Sequence, residues 1–323
     1  MARSLGPSWA AICFLFMCVG CEHAFTPKGP YSDKAVVYCV LSNRSDTQYV
    51  RVYTTYDPPQ FDPLAHTTDN VVRGADVIVT GGALPSRFQE KLIPRVDTSR
   101  YHDNIAVYAS YPFHLEPATA YSLSVVSLET GSVTARVTVP RKGRIQILNA
   151  YVLNGGGTES ENIVVYGWIR ELTYGILMRL YLIYDVLEGN VWVQHQEEMP
   201  VSMVTHGDGS NTFFYPELNR RQTSALVPDK EMNEMVVFSR AAYFERLGAI
   251  YDRNPFGAVH VKRALVILTQ AERNLYTYVK VVNGFQDAYS IRTDEPDYTN
   301  IVGGHGIFGA MVEDSLSVDL NLK

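Results

Sequence analysis

The sequence predicts a mainly β protein of two domains. An N-terminal immunoglobulin- or fibronectin-like β-sandwich spans 31–140, and a second β-rich domain with one or two short helices spans 141–323. Three observations lead there. Tyr121, Leu123 and Val125 alternate with Ser122 and Ser124, and beyond Glu129-Thr130-Gly131 the residues Val133, Ala135, Val137 and Val139 alternate with Thr134, Arg136 and Thr138. A period of two buries one face of a strand and wets the other. Tyrosine outnumbers phenylalanine 21 to 13, and tyrosine suits a pleated, half-exposed surface. Strand-like runs also recur between turn residues along much of the chain.

The first twenty residues stand apart from this pattern. Arg3 is the only charge before the apolar run Trp9 to Val19, which is the layout of a secretory signal. The run is shorter than the ~20 apolar residues a membrane-spanning helix needs. Cys18-Val19-Gly20-Cys21 resembles a bacterial lipobox, with Cys18 where Leu is usual. That resemblance implies cleavage between Gly20 and Cys21 and acylation of Cys21, the alternative being an ordinary signal with a fortuitous cysteine. Residues 1–20 are then a signal peptide, and 21–30, polar and holding Pro27 and Pro30, form a tether. Each buried CH₂ contributes ~0.8 kcal/mol, so several acyl chains hold a protein on a membrane almost permanently.

Of the four cysteines, Cys13 and Cys18 leave with the signal and Cys21 carries lipid. Cys39 remains, and one thiol forms no intramolecular disulfide. Within Val36 to Leu41 it reads as a small buried hydrophobe. The competing reading, a nucleophile, lacks a His or Lys beside it in sequence to lower its pKa.

Further along, Tyr49 to Tyr53 reads as a strand ended by Asp57-Pro58-Pro59, and Ala75 to Thr80 as a strand running into the turn Gly81-Gly82. The spacing of Leu115, Pro117, Thr119 and Tyr121 resembles the start of a strand in fibronectin type III sandwiches. The resemblance implies that the Tyr121 hydroxyl bonds back to the preceding corner. Pro140-Arg141-Lys142-Gly143 marks the domain boundary. Ile145 to Val152 and Ile163 to Ile169 follow as strands, separated by the loop Asn154-Gly155-Gly156-Gly157. Arg179 to Leu187 and Val191 to His195 flank the hairpin turn Glu188-Gly189-Asn190. Thr269-Gln270-Ala271-Glu272 matches a capping box, and Leu275, Tyr278, Val279 and Val282 recur at helical spacing before Gly284, so a helix is expected near 270–283. A second, shorter helix is expected between Ser239 and Asp252.

The formal net charge of −6 argues against a nucleic-acid partner and offers no polybasic patch for anionic lipid. Signatures for zinc proteases, serine hydrolases, dithiol redox centres and phosphate loops are missing, so no catalytic, cofactor-binding or metal-binding residue is expected. Five groups of residues are the candidates to stand against this. His206 to Asn211 offers oxygen donors but lacks the remaining ligands of a calcium loop and reads as a turn. Glu159 with Glu161, and Glu197 with Glu198, are carboxylate pairs whose spacing across a cleft no sequence reveals. His305 lies among glycines without a nucleophile in view. Trp168 and Trp192 are candidates to line a ligand pocket.

The segment Asn300-Ile301-Val302-Gly303-Gly304-His305-Gly306-Ile307-Phe308-Gly309-Ala310 resembles the closing motif of lipoproteins that carry domain of unknown function 4249, found mainly in Bacteroidota. The lipobox, the early β domain ending in Val139-Pro140 and the late Tyr276-Thr277-Tyr278 are similar too. The resemblance implies an outer-membrane lipoprotein with no assigned activity, anchored through its lipid and often encoded near TonB-dependent transporters. His305 stands where another residue is common, and Glu22 stands alone before His23, which leaves the membrane face open. Read from its residues, the motif is structural, carried by Asn300, Gly303, Gly304, Gly306, Phe308 and Gly309. The glycines turn and pass close to other backbone, while Ile307 and Phe308 point to opposite faces of a last strand in the second domain. The reading that results is a non-enzymatic binding or accessory component of the outer membrane, beside a TonB-dependent transporter or another outer-membrane protein. A structural or adhesive surface protein and an envelope hydrolase are the alternatives.

Overall fold

Apolar residues two apart build the first seven strands, β1 (Ala35–Ser42), β2 (Gln48–Thr54), β3 (Asp76–Thr80), β4 (Ser86–Ile93), β5 (Ile105–Ser110), β6 (Ala120–Ser127) and β7 (Gly131–Thr138). The computed structural model describes residues 31–57, 69–82, 84–95, 98, 104–221, 232–254, 257–283 and 298–322. Gly20 and Cys21, the signal and tether, Pro58-Pro59 and the helix stop at Gly284 lie outside the described residues. In the β6–β7 hairpin Tyr121, Leu123, Val125, Val133, Ala135 and Val137 are buried, and the register runs from Ala120 opposite Thr138 to Ser127 opposite Gly131.

β1, β2 and β5 pair on one side, and β4, β3, β6 and β7 on the other. β4 joins the two, with Gln89 to Ile93 pairing with β5 and Ser86 to Phe88 pairing with β3. Their inner faces share one apolar cluster that includes Val37, Leu41, Val50, Val77, Tyr108 and Leu123. This is the strand arrangement of an immunoglobulin- or fibronectin-like sandwich. The Glu116 N–H donates to the Tyr121 hydroxyl at 2.9 Å, the corner bond that the resemblance to fibronectin type III implies.

The rest of the chain forms β8 (Arg144–Ile147), β9 (Ile163–Ile169), β10 (Gly175–Glu188), β11 (Val191–Met199), β12 (Ser202–Thr205), β13 (Asn211–Phe214), β14 (Asn219–Arg220), β15 (Met232–Phe238), helix α1 (Arg240–Asp252), β16 (Val259–Ala271), helix α2 (Arg273–Asn283) and β17 (His305–Asp319). β8, β9 and β15 make a separate three-stranded sheet. A second apolar cluster takes in Ile163 and Val165 of β9, Leu180 and Leu182 of β10, Val266 and Leu268 of β16, and Tyr243 and Ile250 of α1. The Ser239 hydroxyl caps α1 by accepting from the Ala242 N–H.

Two expectations of local structure need correction. The strand expected over Ile145 to Val152 ends at Ile147, and Ala150–Asn154 is a 3-10 turn closed by Gly155 at φ 82°. The capping box does not form. Thr269 to Ala271 stay in β16, paired with β10 on one side and β17 on the other, and two ladders outweigh one helical turn. Glu272 caps α2 instead, its carboxylate accepting from the N–H groups of Asn274 at 2.6 Å and Leu275 at 2.7 Å.

The long strand β17 joins the two clusters. Its first half runs parallel to β1, from Val36 opposite His305 to Ser42 opposite Met311. Its second half runs antiparallel to β16, from Met311 opposite Ala271 to Asp319 opposite Arg263. Phe308 therefore packs in the N-terminal cluster, not in the C-terminal half where the sequence alone would put it. Thr134 of β7 and Val302 exchange backbone hydrogen bonds at 2.7 and 3.2 Å, so the pairing path returns toward the strand at which it began. Residues 34–323 form one compact unit, and one twelve-stranded sheet passes through both halves.

Candidate functional site

The residues of β1 that do not enter the core, Val36, Tyr38 and Val40, face the opposite side of the sheet, where α2 lies. Leu275 of α2 sits over Gly309, where a Cβ would lie 3.0 Å from the leucine Cβ, so the missing side chain lets the helix settle. Tyr278 meets Tyr38 edge-on at 6.3 Å between ring centroids, and Tyr38 meets Tyr53 at 6.5 Å. In β2, Arg51 lies opposite Tyr38 and Tyr53 opposite Val36. Strand pairing thus gathers an aromatic and cationic group beside the helix.

Val36, Tyr38, Arg51 and Tyr53 line a cleft of about 500 Å³ with Thr54 to Tyr56, Asp69, Asn70 and Arg95. The Arg51 guanidinium lies 4.6 Å from the Tyr53 ring centroid, a cation–π arrangement. Arg95 pairs with Asp69. Arg51 Nε and the Tyr53 hydroxyl are shielded from solvent and have no hydrogen-bond partner among the described residues. Burial pushes the Arg51 pKa below its ordinary value; Asp69 opposes that shift and Arg95 adds to it. Such a group of rings and donors is of the kind that can hold a ligand, since a buried polar atom left unpaired is costly and favours a partner that supplies the bond.

A second cleft, of about 730 Å³, lies on the same side of the sheet. Val40, Leu177, Leu275, Val279 and Met311 give it an apolar lining, with Arg179 and Lys280 also present.

The residues weighed from the sequence fall elsewhere. Glu197 and Glu198, adjacent in β11, have separate partners. Glu197 is held by Arg246 and Arg253, each at 2.6 Å, and accepts from the Tyr184 hydroxyl at 3.3 Å. Glu198 stands 3.5 Å from Arg179, and burial raises its pKa. Glu161 accepts from the Tyr151 hydroxyl at 2.7 Å, the bond that does most to hold its pKa low, and Glu159 is exposed. His206 to Asn211 is a turn in which Asp208 accepts from the Ser210 N–H and hydroxyl at 2.9 and 2.7 Å. Among the described residues, no group of three or more His, Cys, Asp or Glu side chains is placed to hold a metal. Cys39 is buried and its pKa is pushed up by that burial. His305 is exposed at the start of β17. Trp168 lies against Arg144, 4.5 Å from guanidinium carbon to ring, and Trp192 stacks on His260 at 4.2 Å; neither lines the Tyr38–Arg51 cleft.

The closing motif lies where β17 meets β1. Gly306 has φ 104°, and a Cβ there would sit 2.1 Å from the Val37 carbonyl oxygen; at Gly304 it would sit 2.6 Å from that of Ala35. Ile307 and Phe308 are both buried, at 2% and 0% exposure, on opposite faces of the strand. Gly303 turns at φ 86°, and Asn300 reaches across to the backbone of Phe308.

The cleft was only partly readable beforehand. The expected strand Tyr49 to Tyr53 contains Arg51 and Tyr53, but nothing local joins them to Asp69 or Arg95. No curated protein matches the chain. The model of one family, domain of unknown function DUF4249, matches residues 22–317, and the chain belongs to that family.

Proposed function

We propose that this chain is a lipid-anchored, non-enzymatic binding protein of the outer membrane, held by acyl chains on Cys21 and working beside an outer-membrane partner such as a TonB-dependent transporter. The observation that carries the binding part is the Tyr38–Arg51–Tyr53 cleft. Its floor is a paired sheet, and two shielded polar atoms in it await a partner. Its volume lies within the ~300–1,000 Å³ of small-molecule sites. The anchor is supported by Arg3, the apolar run and the small residue Gly20 before Cys21. The outer face of the β8–β9–β15 sheet supports a protein partner, since Leu148, Met235 and Val237 are 62%, 54% and 37% exposed there, and exposed apolar patches mark interaction surfaces.

The test is metabolic labelling with a clickable palmitate analogue, followed by affinity capture of the full-length protein from native membranes. Wild type takes up label and brings an outer-membrane protein with it, whereas Cys21→Ser takes up none. Equal labelling of both forms, or capture of the labelled protein with no partner or ligand, would overturn the reading.

A further inference from the structure

The geometry points to a small organic carboxylate as the ligand of the Tyr38–Arg51–Tyr53 cleft, its charged end on Arg51 and its apolar body against the tyrosine rings. This rests on the binding reading above and names the ligand class. Three charged side chains line the cleft, Arg51, Arg95 and Asp69. Asp69 is paired with Arg95, so among the described residues the lining carries one positive charge in excess and no carboxylate forms an ion pair with Arg51. A charge drawn from water without a counter-charge is unfavourable, and a bound monoanion supplies one.

The two unpartnered atoms, Arg51 Nε and the Tyr53 hydroxyl oxygen, narrow the choice. The guanidinium only donates and the phenol donates readily, so the ligand end must accept. A carboxylate accepts two parallel N–H bonds from one guanidinium and still has lone pairs for a hydroxyl. A phosphate monoester brings nearly two charges at neutral pH against the one left over. Beyond the charge, Val36 and the rings of Tyr38, Tyr53 and Tyr56 form part of the wall, beside Thr54, Thr55 and Asn70; Arg51 covers one face of Tyr53, and Tyr38 stands edge-on to Tyr53. An apolar or flat body packs against these rings.

The experiment uses the full chain as isolated, in detergent where it carries lipid, and titrates benzoate, hexanoate, benzyl alcohol and phenyl phosphate by calorimetry and saturation-transfer NMR. Benzoate or hexanoate binds saturably, and benzyl alcohol binds about tenfold more weakly or worse, the usual scale for losing a charge-assisted hydrogen bond. Arg51→Gln loses the carboxylate preference, and Tyr53→Phe, which removes only the hydroxyl, weakens carboxylate binding severalfold. Urea midpoints check that both variants fold; if Arg51→Gln does not, Tyr53→Phe decides alone. Absence of saturable carboxylate binding, equal binding of benzyl alcohol, preference for phenyl phosphate, or unchanged carboxylate binding by a folded Arg51→Gln or Tyr53→Phe would each overturn the inference. If it fails while Arg51→Gln still captures the membrane partner of the wild type, the anchored binding protein stands and only the ligand class falls.

Discussion

The side-chain amide of Asn300 satisfies both backbone polar groups of Phe308. Oδ1 accepts from the Phe308 N–H at 2.9 Å, and Nδ2 donates to the Phe308 carbonyl oxygen at 2.8 Å. β1 serves one edge of β17 here, while on the other edge β16 begins to pair only at Met311. Between them the Glu272 N–H donates to the Ala310 carbonyl at 3.1 Å. Asn300 therefore stands in for the missing strand and completes the ladder at the point where Phe308 enters the core.

Asn300→Ala strips both bonds at once. Each unpaired backbone group costs about 1–3 kcal/mol where water does not replace the bond. The variant is expected to unfold at clearly lower urea concentration than wild type with an unchanged slope. A midpoint equal to wild type would show that water serves the two groups as well as Asn300 does.

Phe308→Ala empties a fully buried site in the N-terminal cluster, at a cost of about 3–5 kcal/mol. Because β17 pairs with both β1 and β16, the loss is expected to reach both halves, with tyrosine and tryptophan signals falling together. His305→Ala, at an exposed position, is expected to stay within about 0.5 kcal/mol of wild type. Separate transitions by the two probes would mean that the shared strand does not couple the clusters.

Gly306→Ala faces two obstacles, the left-handed φ of 104° and a Cβ 2.1 Å from the Val37 carbonyl oxygen. Relief requires parting β1 from β17, so little folded protein is expected. Gly207→Ala, with open space around it, is the control and should fold as wild type does. Circular dichroism and yield read the difference.

Cys39 is 2% exposed, and burial raises its pKa, so the reactive thiolate is scarce at neutral pH. A thiol reagent is expected to modify it only in denaturant. Rapid labelling of the native protein would place β1 in an open state more often than its burial allows.

Local pattern by itself determined the mainly β class, the β6–β7 hairpin, the turn at Gly189, the strand from Tyr49 to Tyr53, and a short helix between Ser239 and Asp252. Each depends on neighbours two to four residues apart, within reach of a periodic reading. Tertiary structure decided the fate of Thr269 to Glu272. The first three of these residues, Thr269 to Ala271, are drawn into a strand by ladders with β10 and β17, whose residues lie tens of positions away, and Glu272 is left to cap α2. It also decided that the end of the chain returns beside β1, that Phe308 belongs to the N-terminal core, and that Arg51 shares a cleft with Asp69 and Arg95. A strand's period says which face is buried, but not against which partner. The partner is chosen by backbone bonds and side-chain packing between distant segments, and these exist only once the chain has folded.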